Sequence, residues 1–111
     1  MGTKLIYPSQ KRVWAEVNID NVIHNYNTVV RKLNNRTKIC CVVKANAYGH
    51  GAVRLAKEYE LLGADFLAVA DIGEAIHLRN NGITLPILIL GYTDPRCTKL
   101  LGDYGDRKSV V

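Results

Sequence analysis

The 111-residue sequence has no apolar run approaching the ~18 residues of a membrane span. Its opening, MGTKLIYPSQKR, lacks the apolar core that a secretory signal needs, and residues 1–11 read as a loose leader. Basic residues never stand more than two in a row, and no aromatic side chains interleave with them as a stripe. The formal net charge of +5 therefore does not point to nucleic acid. Cys40, Cys41 and Cys97 form no C-x-x-C pair, and His24, His50 and His77 have no ligand spacing, so no metal site is expected. An odd cysteine count without a signal peptide favours a reducing, cytoplasmic setting, with the thiols as small core side chains. No linker or low-complexity stretch divides the chain, and 48% apolar with 23% charged residues suits one soluble globular domain.

Present instead is an alternation of strand and helix patterns. VWAEVNI, residues 13–19, alternates apolar and polar positions and predicts a half-buried strand. Asp20 is the expected N-cap of a helix whose apolar face is Val22, Ile23, Tyr26, Val29, Val30 and Leu33. ICCVV, residues 39–43, is continuously apolar, as in a parallel strand covered on both faces. A helix from about Ala52 follows, with Val53, Leu55, Ala56, Tyr59 and Leu62 inward and Gly63 as its left-handed C-terminal cap.

FLAVA at 66–70 repeats the strand pattern. DIGE at 71–74 has capping-box spacing, Asp71 serving the helix start and Glu74 reaching back. Ile72, Ala75, Ile76 and Leu78 are the expected inward positions of that helix, and Gly82 its cap. PILILG at 86–91 is a further strand, and Asp94 with Pro95 opens another helix with Cys97, Leu100, Leu101 and Tyr104 inward. SVV at 109–111 reads as the start of one more strand. Strand–helix alternation predicts an α/β fold with a parallel sheet and right-handed crossovers. The unit spacing suits either an α/β barrel or an open doubly wound sheet. Three βα units would leave an open sheet edge, and a closed barrel needs roughly 250 residues, so a fragment or truncated reading frame is expected.

In such folds the reactive groups stand at the carboxyl ends of the strands. Lys44 is there, at the end of the first strand of the run. Alternation places it with Cys40 and Val42 on the face that a barrel would turn inward. At an apolar mouth its amine would be partly desolvated, its pKa lowered, and it could form a Schiff base with a carbonyl cofactor. By spacing alone the signal is weak, since a strand-end lysine before a turn is usually just solvated, and a glycine-rich turn opening a helix could hold any phosphate. AYGHGA does not match the nucleotide-binding G-x-x-x-x-G-K-[ST] pattern.

VVKANAYGHGA, residues 42–52, resembles the cofactor-attachment signature of the bacterial alanine racemases. WAEVNIDNVIHNYN is similar to that family's opening, and GADFLAVADIGEAIHLRNNGITLPILILGYTDP to its next two units, so the resemblance covers about residues 12–111. The family's more frequent form has Asp where this chain has Asn46.

The resemblance implies a pyridoxal 5'-phosphate enzyme on a partial (β/α)8 TIM-type barrel, with residues 12–111 as the N-terminal portion of the barrel and a C-terminal β domain beyond it. It implies a homodimer in the full-length family, and a cytoplasmic amino-acid racemase (an isomerase) that supplies D-alanine for cell-wall peptidoglycan. Lys44 matches the lysine that holds the cofactor and then serves as one of two catalytic bases. Tyr48 matches a tyrosine on the cofactor phosphate, and Leu90 a position beside the cofactor ring. The other base is implied to be a tyrosine of the partner subunit with no counterpart in these residues, so the 111-residue chain alone is expected to be inactive. The strand at 13–19 would pack with the C-terminal domain rather than in the barrel.

A serine or broad-specificity racemase shares the motif. A decarboxylase on the same barrel is disfavoured by AYGHG. A non-catalytic fragment associating through its open sheet edge is the reading outside the enzyme class. His50 fits a turn-stabilising role as well as proton transfer, Asp71 fits a cap, and turn and cap roles suffice for Tyr92, Thr93 and Asp94.

Overall fold

The computed structural model describes residues 2–3, 13–97, 99, 101–102 and 107–108. The chain divides into two compact units, residues 1–37 and 38–111.

In the first unit, β1 (Gly2–Thr3) pairs antiparallel with β2 (Val17–Asn18), Thr3 opposite Val17. Gly2 and Thr3 fall within the expected leader, of which residues 4–11 lie outside the described residues. The strand expected over 13–19 contracts to two residues. Val13 is 83% exposed and Trp14 44%, and among the described residues no strand lies beside 13–16. A period of two makes a strand only where a partner supplies the ladder.

Helix α1 (Ile19–Lys32) is capped by Asn18, not by Asp20. Asn18 has extended backbone angles, and its Oδ1 accepts the N–H groups of Asp20 and Asn21 at 2.9 and 3.3 Å. Asp20 is already helical and sits in the first turn, where its charge complements the helix dipole. Of the predicted apolar face, Tyr26 is buried while Val29, Val30 and Leu33 stay exposed.

The second unit runs β3 (Cys40–Val42), a short turn α2 (Lys44–Tyr48), α3 (Ala52–Leu62), β4 (Phe66–Val69), α4 (Ile72–Asn80), β5 (Ile87–Ile89), a 3-10 turn Pro95–Cys97 and β6 (Arg107–Lys108). The four strands form one parallel sheet in the order β3-β4-β5-β6. Cys41 pairs with Leu67 and Leu67 with Ile87, so these three share one face. On that face Val43, Leu67, Val69, Ile87 and Ile89 are each 1% exposed or less. α4 lies against β4 and β5 and beside α3, and it contributes buried Ala75 and Leu78. Each fully covered aliphatic side chain contributes about 1.5–3 kcal/mol.

The opposite face carries Cys40, Val42, Ala68, Leu88 and Leu90. Here Val42 is 40% exposed and Leu90 37%. Among the described residues the expected cover on both faces of residues 39–43 is absent, and β3 is an edge strand with one covered face and one open face.

The final strand falls at 107–108, ahead of the expected 109–111, which lie outside the described residues. The helix expected from Asp94 opens as the 3-10 turn, and Lys99, Leu101 and Gly102 beyond it are helical. Leu100 and Tyr104 lie outside the described side chains.

Side chains tie the loops at the amino edge. Asp65 Oδ2 accepts the Ile39 N–H at 2.8 Å, and Glu60 accepts the Thr84 N–H at 3.1 Å. The Arg79 guanidinium donates to the carbonyls of Ile83 and Leu85 at 2.9 and 2.7 Å. These bonds hold the segments entering β3 and β5, so the opposite, carboxyl edge is set by a rigid sheet.

Candidate active site

Strand β3 ends before the lysine. The Val43 N–H still joins the ladder, donating to Ala68 O at 2.9 Å, but Val43 leaves the extended form (φ −123°, ψ 23°). Lys44 thus opens the turn rather than closing the strand, and stands half-buried on the carboxyl edge. Among the described residues its amine makes no ion pair or hydrogen bond.

The turn that follows is left-handed. Ala45, Asn46 and Ala47 have φ/ψ near +50°/+48°, +54°/+43° and +54°/+47°, and Tyr48 has φ +57°. Those are the angles of a left-handed helix. A turn of L-residues in this form costs roughly 1–2 kcal/mol per residue, or on the order of 4–8 kcal/mol for four, somewhat less for the asparagine. Such a conformation persists only where surrounding bonds enforce it.

The bonds are present. Ala47 N–H donates to Val43 O at 2.9 Å, Gly49 N–H to Ala45 O at 3.1 Å and Gly51 N–H to Asn46 O at 2.9 Å. His50 Nδ1 lies 3.0 Å from Ala47 O, which is the turn-stabilising role expected of it. Asn46 Oδ1 accepts the Ala52 N–H at 2.9 Å and so satisfies the start of α3, which has no cap of its own at Gly51. An aspartate there would supply the same acceptor. Gly49 and Gly51, at φ +89° and +98°, let the chain leave the turn. The result places the Tyr48 ring 61% exposed at the edge, its hydroxyl engaged with no described residue.

The neighbouring strand end is built by a cap. Asp71 Oδ1 accepts the Glu74 N–H at 2.9 Å, as the sequence spacing predicts. Glu74 does not reach back to the cap residue itself. Its Oε1 accepts the Ala70 N–H at 2.7 Å, and its Oε2 accepts the Ala45 N–H at 2.8 Å, across 29 residues of sequence. Sequence reasoning missed this second bond; its only trace was a glutamate at capping-box spacing.

At β5, Leu90 and Gly91 donate to Val69 O and Ala70 O, both at 2.9 Å. A Cβ on Gly91 would lie 2.4 Å from Ala70 O, so only glycine permits this approach. Leu90 follows Leu88 on the open face. Two strand spacings separate it from the Lys44 end of the edge, about 10 Å.

Lys44, Tyr48 and Leu90 therefore stand on one edge of one sheet, each partly open to solvent. They do not share the cavity of about 540 Å³ between the starts of α3 and α4, which is lined by Val43, Val69, Leu78, Asn46, Asp71 and His77 among others. That cavity opens on the helix side. His77 is exposed on α4 and His24 on α1, as expected of residues outside the site. Asp94 acts as a turn residue: Arg96, through its side chain and then its N–H, holds the Asp94 carboxyl below the usual carboxylate range. Burial pushes the Cys41 thiol up to about 11, the neighbouring Cys40 adding to it, and burial also raises Cys40. Neither is a ready thiolate.

Fold and site together define a segment of a parallel α/β barrel, with an unengaged amine on a strained turn at the carboxyl edge of its first strand. The family model described as alanine racemase, N-terminal domain, matches residues 17–110, and the chain belongs to that family. It is 54% identical over 79 residues to alanine racemase 2 of Caldanaerobacter subterraneus subsp. tengcongensis, covering 71% of this chain and 20% of the relative. It is 43% identical over 101 residues to a serine/alanine racemase of Enterococcus gallinarum, covering 91% of this chain and 14% of that one. Among solved structures it resembles alanine racemase of Clostridium difficile 630, with TM-score 0.81 and 47% identity over 85% of this chain and 25% of the other. The chain spans about a fifth of the length of the curated alanine racemase 2 that it matches.

Proposed function

We propose that these residues are the N-terminal part of a pyridoxal-phosphate-dependent alanine racemase that interconverts L- and D-alanine for peptidoglycan synthesis. The observation that supports this most is the unengaged Lys44 amine at the carboxyl edge, on a turn whose strained form brings Tyr48 to the same edge. The donor set fits the cofactor: an amine for its carbonyl, a phenol for its phosphate and an exposed leucine for its ring. When bound, pyridoxal phosphate supplies an electron sink for the substrate's α-carbon. Lys44 would hold the cofactor through its amine and, once freed, would be the base that removes or returns the α-proton on one face. Tyr48 would offer its hydroxyl to the phosphate, and Leu90 would offer its side chain to the ring.

Racemisation exchanges a proton on both faces of the α-carbon, and one amine reaches one face. The second base belongs to the partner subunit of a homodimer in this reading, so the 111-residue chain alone turns over no alanine. The whole protein works in the cytoplasm. A serine or broad-specificity racemase is the second reading, and the match to a serine/alanine racemase over most of this chain supports keeping it.

The test is chemical. Incubate the chain with pyridoxal phosphate, reduce with borohydride and map the adduct by mass spectrometry. Label is expected on Lys44 and absent from that peptide in Lys44→Ala. Label spread equally over exposed lysines in both proteins would sink the assignment. Circular dichroism on L-alanine is expected to show no turnover by the chain alone; turnover would remove the need for a second base from elsewhere.

A further inference from the structure

The left-handed turn is bonded mainly to itself. The hydrogen bonds of Ala47, Gly49, His50 and Gly51, and that between Asn46 and Ala52, all lie within residues 43–52. Among the described residues, the single hydrogen bond from residues 44–51 to the next strand–helix unit is Ala45 N–H to Glu74 Oε2, at 2.8 Å. Ala45 is the residue immediately after Lys44. The other oxygen of the same carboxylate holds Ala70, the residue immediately after β4, at 2.7 Å. Glu74 is itself fixed, because its N–H is bound by Asp71 at 2.9 Å.

A carboxylate is acceptor-only, with two oxygens, and here each oxygen meets one backbone donor. The bridge thus locks the backbone beyond the lysine to the end of the neighbouring strand. A turn bonded only to itself could pivot about Val43 as a unit, and the amine with it.

We propose that Glu74 is a positioning residue for Lys44, acting through the backbone and touching neither cofactor nor substrate. The inference rests on the assignment of Lys44 made above. Glu74 narrows the directions open to the Lys44 side chain, so that the amine meets a carbonyl ligand held at the same edge by Tyr48. Glutamine is the informative replacement. It keeps the shape, but its amide nitrogen faces one of the two N–H groups, donor against donor.

The test uses the 111-residue chain, pyridoxal 5'-phosphate as probe, borohydride trapping and peptide mapping. Exposed Lys57 and Lys99 serve as internal references. In Glu74→Gln the ratio of label on Lys44 to label on Lys57 is expected to fall about tenfold, the size of one lost charge-assisted hydrogen bond. A merely structural role would lower the melting temperature and leave that ratio unchanged. An unchanged ratio overturns the inference, whatever happens to melting.

Amide exchange of Ala45 separates this proposal from the lysine assignment. If wild-type label does not favour Lys44, the assignment fails. The bridge is then judged by Ala45 exchange, which is expected to be about tenfold faster in Glu74→Gln than in wild type; equal rates overturn it. Should Glu74→Gln not fold, wild-type exchange decides: a protected Ala45 amide supports the bridge, and an Ala45 amide exchanging at the free-peptide rate overturns it.

Discussion

The first two strand–helix units of the sheet follow the same order, yet they are built for different ends. In the second, Leu67, Ala68 and Val69 are all 1% exposed or less, and the chain passes into α4 through one aspartate cap. In the first, β3 is an edge strand with Val42 40% exposed, and it passes into α3 through four left-handed residues. The second unit is stable and chemically quiet. The first holds the free amine and the exposed phenol. Strain and exposure collect where the chemistry is proposed, and the neighbouring unit supplies the rigidity that contains them.

Leu67→Ala and Val42→Ala break the comparison most sharply. The first should cost about 3 kcal/mol in urea unfolding, because it leaves a cavity under α4. The second should cost less than about 1 kcal/mol, because Val42 lies on the open face. Equal costs would show that the open face is covered in solution.

Asp71→Ala removes the cap of the quiet unit and should cost about 1 kcal/mol. Because Asp71 also fixes Glu74, the ratio of label on Lys44 to label on Lys57 should fall, but by less than in Glu74→Gln; a larger fall than in Glu74→Gln would show that the cap acts on Lys44 by a route other than the bridge.

Cys41 tests the covered side of β3 by pH. Its folded pKa, about 11, lies above the ordinary value of 9.0, so folding favours the protonated thiol. Stability from this group is complete below pH 9 and is lost as pH rises from 9 towards 11, where the unfolded chain ionises first. Tyr59, raised by burial and then by Cys41, adds to the same decline. With partial exposure the Cys41 share is on the order of 1 kcal/mol. Cys41→Ala should flatten this part of the pH–stability curve, and an unchanged slope would show that the thiol is solvated.

The smallest effect carries the most telling sign. Ala45→Gly relieves a left-handed residue and should stabilise by up to about 1 kcal/mol, after allowing for glycine's extra unfolded-state freedom. Lys57→Gly, at an exposed right-handed position of α3, should destabilise by a similar amount. If both destabilise equally, the turn is not left-handed in solution.

Helix boundaries in both units were legible in the sequence. α3 ends at left-handed Gly63, and Asp71 caps α4, because both depend on residues within a few positions of each other. Errors arose where two local solutions compete or where a partner is needed. Asn18 and Asp20 are both good caps, and only the extended backbone of Asn18 decides between them. Residues 13–16 have a strand's alternation but no strand beside them. For the site, the KANAYGHG segment marked the place, and Gly49 and Gly51 marked a turn. Nothing in the alanines, Asn46 or Tyr48 announces a left-handed form, since L-residues avoid it unless held.

What the sequence determined by itself is therefore the alternation of elements, the position of Lys44 just past the first strand of the run, and the family. The first two rest on periodicity and short-range spacing, and the family on the resemblance of residues 42–52 and their flanks. Only the tertiary structure decided the handedness of the turn, which face of β3 lies open, and the bridge from Glu74 to Ala45. The handedness rests on a set of local bonds that must all form together, and the open face and the bridge depend on groups far apart in the chain, which meet only once the sheet has brought two strand ends side by side.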